Sequence, residues 1–186
     1  MDITAEIVPG SWERALNMCR NTVWKNGVNS EPSDKFKHEL CMSEHGPLTL
    51  VEYYIHIPSI KYWTAAHFTR HKIGVTWGQG SSRDDRHDTG VPRDELPQGN
   101  PVPLDCQINA QELIFMSRRR LCGMAHPETR AVMREILDAV GKVDPVVVRY
   151  CVPNCVYRGH CPEAHGCGYD KSSAFSEKVS EYWGTN

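Results

Sequence analysis

The densest run of ligand-binding side chains is Arg70-His71-Lys72-Ile73-Gly74-Val75-Thr76-Trp77-Gly78-Gln79-Gly80-Ser81-Ser82-Arg83. Three basic-type residues precede glycines, hydroxyls and a further arginine. Glycines let the backbone come close to a ligand, and successive N–H groups can form a nest for an anion. Ser81 and Ser82 add donors, and Arg83 can grip a phosphate through two parallel hydrogen bonds. This is equipment for a nucleoside monophosphate. The same residues also suit a solvated loop after an amphipathic helix, and no phosphate-loop or dinucleotide fingerprint accompanies them. Ser81 has no His–Asp pattern to activate it, so it reads as a phosphate or base ligand and not as a nucleophile.

Two further constellations stand out. In Ile108-Asn109-Ala110-Gln111-Glu112-Leu113 through Arg118-Arg119-Arg120, helical periodicity puts Asn109 and Arg120 three turns apart on nearly one face, where they can reach two parts of one ligand. Three consecutive arginines equally suit a solvated face. In the last quarter of the chain, Cys151, Cys155, Cys161 and Cys167 lie among His160 and His165. Such a set can close a tetrahedral zinc site or hold an iron–sulfur cluster, although the paired CxxC knuckles of zinc ribbons are absent. The alternative is a small tail packed by buried cysteines.

The elements that must carry these residues follow from composition and periodicity. A chain of 186 residues, 40% hydrophobic and 24% charged, suits one domain with a real core. With 21 basic and 23 acidic side chains it lacks the basic excess of a nucleic-acid-binding protein. The start of the chain carries no signal-peptide pattern, and no stretch has the length of a membrane span, so a cytoplasmic protein is expected. Trp12 to Trp24 reads as a helix, and Ser33 as the cap of a short one over Asp34 to Met42. Leu50 to Ile57 alternates with period two and reads as a strand. A helix is expected from Pro58 through Phe68, then a long loop from Arg83 to Pro103. Further helices are expected over Ile108 to Leu121 and from Pro127 to Val140, the second followed by Gly141. The chain from Cys151 is expected to be irregular.

These motifs in this order resemble the flavin-dependent thymidylate synthase family. That family has a motif of the form RHRxxSxNExSxRY. Arg70-His71-Lys72 stands at its RHR; with one extra residue, Thr76 takes the first Ser, Gly78-Gln79 the Asn-Glu, Ser81 the second Ser and Arg83 the Arg. The closing Tyr is Asp84. The segment from Asn109 to Arg120 resembles the family's Asn-Ala-Arg-Ser-Leu helix, and the likeness covers roughly residues 12 to 140, leaving 151–186 as a cysteine-rich tail.

The resemblance implies a single α+β domain with a central, mostly antiparallel sheet flanked by helices, assembling as a homotetramer with active sites shared between subunits. It implies FAD held by Arg70, His71, Lys72, Asn109 and Gln111. It implies dUMP bound by Gln79, Ser81, Ser82 and Arg83, with Arg120 at the uracil edge as the catalytic cation. NADPH would reduce the flavin, and methylenetetrahydrofolate would supply the carbon in converting dUMP to dTMP. No cysteine nucleophile is required. The sequence also departs from the pattern: Gly78-Gln79 lacks a carboxylate, Lys72 lacks the reach of an arginine, and only 25 residues separate Arg83 from Asn109. These departures leave room for a dUMP hydroxymethylase or related pyrimidine-modifying enzyme, or for a metal-stabilised nucleotide-binding protein without catalysis.

Overall fold

Alternation of apolar and polar side chains builds the sheet. In a computed structural model describing residues 2–83, 85–86 and 90–184, β1 (Thr4–Ile7), β2 (Glu52–Lys61), β3 (Val75–Gln79) and β4 (Pro101–Asn109) pair in the order β1-β2-β4-β3, antiparallel throughout. Tyr53, Ile55 and Ile57 of β2 and Leu104, Cys106 and Ile108 of β4 are buried on one face. Helices cover that face; the other carries Glu6, Tyr54, Gly78 and Gln107 exposed, with His56 and Asp105 half-buried between them. Asp84 and His87 lie outside the described residues.

Two strands differ from expectation. β2 runs on through Pro58 to Lys61, and the helix expected from Pro58 begins only at α3 (Tyr62–Phe68). β4 occupies the end of the expected loop and the start of the expected helix. Its two prolines disguise it, yet Pro103 sits where the register shifts, between the pairs Ile57–Leu104 and Ile60–Val102. There the ladder is already interrupted, so the missing N–H sacrifices little. The Pro103 carbonyl accepts from the Gly80 N–H at 2.9 Å. A Cβ on Gly80 would meet the proline ring at 2.5 Å, so glycine is required there.

The helices are α1 (Ser11–Thr22), α2 (Asp34–Ser43), α4 (Ala110–Arg120), α5 (Pro127–Gly141), α6 (Pro145–Tyr150), α7 (Asn154–Arg158) and α8 (Ser173–Trp183). Ser33 caps α2 as expected, its Oγ accepting from Phe36 N–H at 3.3 Å, and Pro127 occupies the first turn of α5. Val152, Val156, Phe175 and Tyr182 join the same buried cluster as the sheet, and the segment after Cys151 is more helical than expected. Buried Asp144 ties three elements together: it accepts from Trp12 Nε1–H at 2.7 Å and Tyr53 O–H at 2.8 Å and caps α6. No helix among the described residues is long and apolar enough to cross a membrane.

Candidate functional site

The turn between α3 and β3 is pressed against α4, and this contact creates the site. Gly74 has φ +71°, and a Cβ there would lie 2.6 Å from Asn109 Nδ2; both the conformation and the close approach demand glycine. Asn109 caps α4, its Oδ1 accepting from Glu112 N–H at 2.8 Å. Trp77 Nε1–H donates to the His71 carbonyl at 2.8 Å and its ring meets Phe68. These contacts place the His71 side chain over α4.

There His71 Nδ1 lies 2.7 Å from Glu112 Oε1, with both side chains under a tenth exposed, and Arg120 Nε–H donates to His71 Nε2 at 3.1 Å. Arginine has no acceptor and keeps its protons. His71 Nε2 must therefore accept, and Nδ1–H donates to Glu112; this hydrogen-bond network assigns a neutral imidazole. The result is a carboxylate–imidazole–guanidinium chain that fixes Arg120.

A cavity of about 460 Å³ opens over this chain, lined by Arg70, Lys72, Ile73, Phe115 and Arg119 besides the three linked residues. Burial pushes the Arg120 guanidinium down from its ordinary pKa, and the charges of Arg70 and Arg119 push it further. His67 is likewise lowered, first by burial and then by Arg120, Arg70 and His126. Among the described residues no carboxylate is within ion-pair reach of Arg70, Lys72 or Arg119, and Glu112 is engaged by His71. Cations held together with one committed carboxylate make an anion site. Phe115, 46% exposed, and Ile73, 84% exposed, add apolar surface at its rim.

No protein-family model matches the chain. Over 71 residues, 36% of the chain, it is 38% identical to the flavin-dependent thymidylate synthase of Sulfurisphaera tokodaii, a segment that makes up 28% of that relative. Over 74 residues, 39% of the chain, it is 42% identical to the flavin-dependent thymidylate synthase of Clostridium tetani, 29% of whose length is matched. The chain thus spans less than a third of the curated relatives it matches. Among solved structures, the flavin-dependent thymidylate synthase from Helicobacter pylori complexed with FAD and dUMP superimposes with a TM-score of 0.63 at 14% identity, covering 82% of this chain and 100% of that one. The chain has the fold of a flavin-dependent thymidylate synthase. A UMP/dUMP methylase from Streptomyces cacaoi bound with 5-Br dUMP shares that fold, with a TM-score of 0.58 at 18% identity over 80% of this chain and 94% of that one. The resemblance read from the motifs therefore holds both in local sequence and in fold.

Within this thymidylate-synthase-like fold the expected site residues fall into separate groups. Arg70, His71, Lys72 and Arg120 come together around one cavity. Asn109 is the cap of α4 and does not line that cavity. Gln111 instead turns away, its Nε2–H donating to the Glu44 carbonyl at 3.5 Å. Gln79 ends β3, roughly 14 Å along the strand from Val75, and Ser81, Ser82 and Arg83 follow it. β3 is an extended strand paired with β4, so its N–H groups do not form the expected anion nest. Ser82 lines a smaller cavity of about 190 Å³ with Tyr62, Arg93 and Asn100. Arg83 pairs with Asp85 through Nε at 2.9 Å and Nη2 at 2.7 Å, and Ser81 Oγ accepts from the Arg83 N–H.

The arginine run divides by helical geometry. Arg118 is buried, paired with Glu44 and 3.5 Å over the Tyr157 ring, whereas Arg119 and Arg120 line the cleft. Sequence reading overlooked Glu112, Phe115 and Arg119; their i, i+3, i+7 spacing places them on one face of α4. Among the cysteines, Cys151 is buried in the core, its thiol directed at the Val147 carbonyl, and burial raises its pKa to about 12. Cys122, from the connection between α4 and α5, shares a cavity with Cys151, Cys155, Cys161 and Cys167.

Proposed function

We propose that the chain is an enzyme of the flavin-dependent thymidylate synthase type, converting dUMP to dTMP with FAD, NADPH and methylenetetrahydrofolate. The observation that carries this reading is the half-buried Arg120, held by the Glu112–His71 pair and surrounded by Arg70, Lys72 and Arg119. Such a cluster is unfavourable alone and is relieved by a diphosphate or nucleotide phosphate. The donor set fits FAD: Arg70, Lys72 and Arg119 supply cations for its diphosphate, and Phe115 and Ile73 offer apolar faces to its ring. FAD, when bound, supplies the hydride chemistry. Arg120 then acts as a fixed cation at the uracil edge, favouring negative charge that develops on the ring without having to reorganise. Glu112 and His71 position it.

Gln79, Ser81, Ser82 and Arg83 would hold dUMP from the opposite end of β3. Ser82 and Arg120 line different cavities, which supports an active site completed by a second copy, in a homotetramer. Eight free cysteines suit the reducing cytoplasm. The test is mass spectrometry of the nucleotide after incubation with dUMP, methylenetetrahydrofolate, FAD and NADPH. A methyl gain that requires FAD is expected; unchanged dUMP from flavin-loaded protein overturns the reading.

A second reading, a related pyrimidine-modifying enzyme such as a dUMP hydroxymethylase, is favoured by Gly78. A Cβ there would meet Asp105 only at 3.8 Å, an ordinary contact, so packing does not dictate glycine. A hydroxymethyl gain in the same assay would establish it.

A further inference from the structure

We propose that Cys122, Cys155, Cys161 and Cys167 together bind one zinc ion that fastens the C-terminal segment to the connection between α4 and α5. The inference is independent of the flavin reading and assigns a site that the family likeness does not supply.

The four thiols line one cavity of about 770 Å³ that Cys151 also borders, and close contacts at two glycines narrow the spacing of three of them. Cys167 Sγ is 2.5 Å from where a Cβ on Gly123 would stand, so the last thiol rests against the residue that follows Cys122. Cys161 Sγ is 2.9 Å from the corresponding point on Gly166, the residue before Cys167. Cys155 is close enough to Cys122 and Cys161 for their charges to act on it.

The segment from 158 to 168 supplies a reason for such a cation. Among these residues none is buried, and none belongs to a helix or strand after Arg158. No apolar anchor offsets the conformational entropy of ordering it. Cys161, Pro162, Glu163 and Cys167 line the shared cavity from this segment, and a metal is the usual staple where a core is lacking.

The chemistry favours zinc. Asp138, Glu163 and Asp170 also line the cavity, but four sulfur donors select a thiophilic metal over magnesium or calcium. Zinc imposes little geometric demand of its own and accepts four thiolates as a closed structural site. Binding would release the thiol protons to solvent and leave a doubly negative complex. Arg130 and Arg134 line the same cavity and would offset that charge. Arg130 also donates to the Gly123 and Ala125 carbonyls, holding the turn that presents Cys122. Among the described residues no three such side chains stand in ligating geometry. The sulfurs line a shared space and would converge through rotation about Cα–Cβ and small loop shifts, as in sites that form with their metal.

The experiment is metal analysis of the full chain purified without chelator or oxidant. About one zinc per chain and no iron is expected. Cys122→Ser should lose it, and Cys19→Ser, removing a thiol of α1 outside that cavity, should keep it. Cobalt(II) added to the metal-free wild-type chain should saturate at about one equivalent with the intense visible bands of a tetrahedral thiolate site, a readout that does not depend on any variant folding. Zinc retained in Cys122→Ser, cobalt bound without those bands, disulfides among these four cysteines in non-reduced peptides, or iron with labile sulfide would each overturn the proposal.

Discussion

Arg70→Ala should raise the stability of the ligand-free protein while weakening its grip on flavin, and the two effects have separate physical sources. Arg70 is exposed, and its charge depresses the Arg120 guanidinium. Repulsion of the half-buried Arg120 by an exposed Arg70 is worth only about 0.2–0.5 kcal/mol after solvent screening. Removing it should raise the apoprotein melting temperature by about 1 °C for a domain of this size. A charge-assisted hydrogen bond to a phosphate is worth about 1.5–3 kcal/mol, so FAD affinity should fall by about 10- to 100-fold. Each tenfold loss removes about 1.4 kcal/mol of ligand-induced stabilisation, or about 3–6 °C of the FAD-dependent shift. Thermal unfolding with and without FAD, paired with calorimetric titration, reads both effects. Arg118→Ala is the counterpart. It breaks a buried pair with Glu44 and a stack on Tyr157, and should destabilise the apoprotein by about 3–5 kcal/mol. An Arg70→Ala protein that is several degrees less stable, with an intact FAD shift, would refute the anion-site reasoning.

Asp144→Ala orphans two buried donors, Trp12 Nε1–H and Tyr53 O–H, and should cost about 2–5 kcal/mol in urea unfolding; a loss under about 0.5 kcal/mol would contradict the assigned network. Gly74→Ala forces a side chain into φ +71° and against Asn109. It should cost about 2 kcal/mol or more and reduce FAD binding; unchanged stability and binding would show that the turn is not pinned as described. Burial raises the Cys106 thiol from 9.0 to about 12 and the Tyr182 hydroxyl from 10.0 to about 12. Each then holds its proton in the native state while the unfolded chain loses it. Their contribution is complete below pH 9 and declines as pH rises towards 12, by about 1.4 kcal/mol per unit for each group once its unfolded form ionises. Reversible denaturation between pH 8 and 11 should show this decline, shallower in Cys106→Ala, and a flat profile would count against the burial of these groups.

What the sequence made legible was periodic. α1, α2, α5 and most of β2 follow from apolar spacing and caps, because local pattern and tertiary burial agree there. β4 was hidden by Pro101 and Pro103, which a propensity reading takes as loop; only the bulge opposite Pro103 makes a strand acceptable. β3 was hidden by Gly78 and Gly80, and Gly80 answers to the ring of Pro103, a contact across strands. Arg70, His71 and Arg120 were legible through their likeness to a family motif. Glu112 was not, since its partner lies 41 positions away and nothing local distinguishes it from any acid in the first turn of a helix. The cysteines show the same limit in reverse. Cys151 shares a segment with Cys155, Cys161 and Cys167, yet helix α6 turns it into the core, and the fourth thiol comes from Cys122, far away in sequence.

Helix α4 joins these observations. Its first turn supplies the Asn109 cap and Glu112, its exposed side Phe115 and Arg119, and its last residue Arg120. Cys122 follows Arg120 by two residues, and the intervening Leu121 N–H still bonds the Ser117 carbonyl at 2.9 Å. One face of the helix therefore ends in the anion cleft and its continuation ends at the cysteine cluster. Arg118, between them, packs on Tyr157 of α7, which lies in the cysteine-rich segment. Arg120 is half-buried against like charges, so its position needs mechanical support in addition to the His71 hydrogen bond. A Cys122 held by a metal would restrain the helix end from which Arg119 and Arg120 project, and this gives the C-terminal segment a physical reason to be stapled where it is.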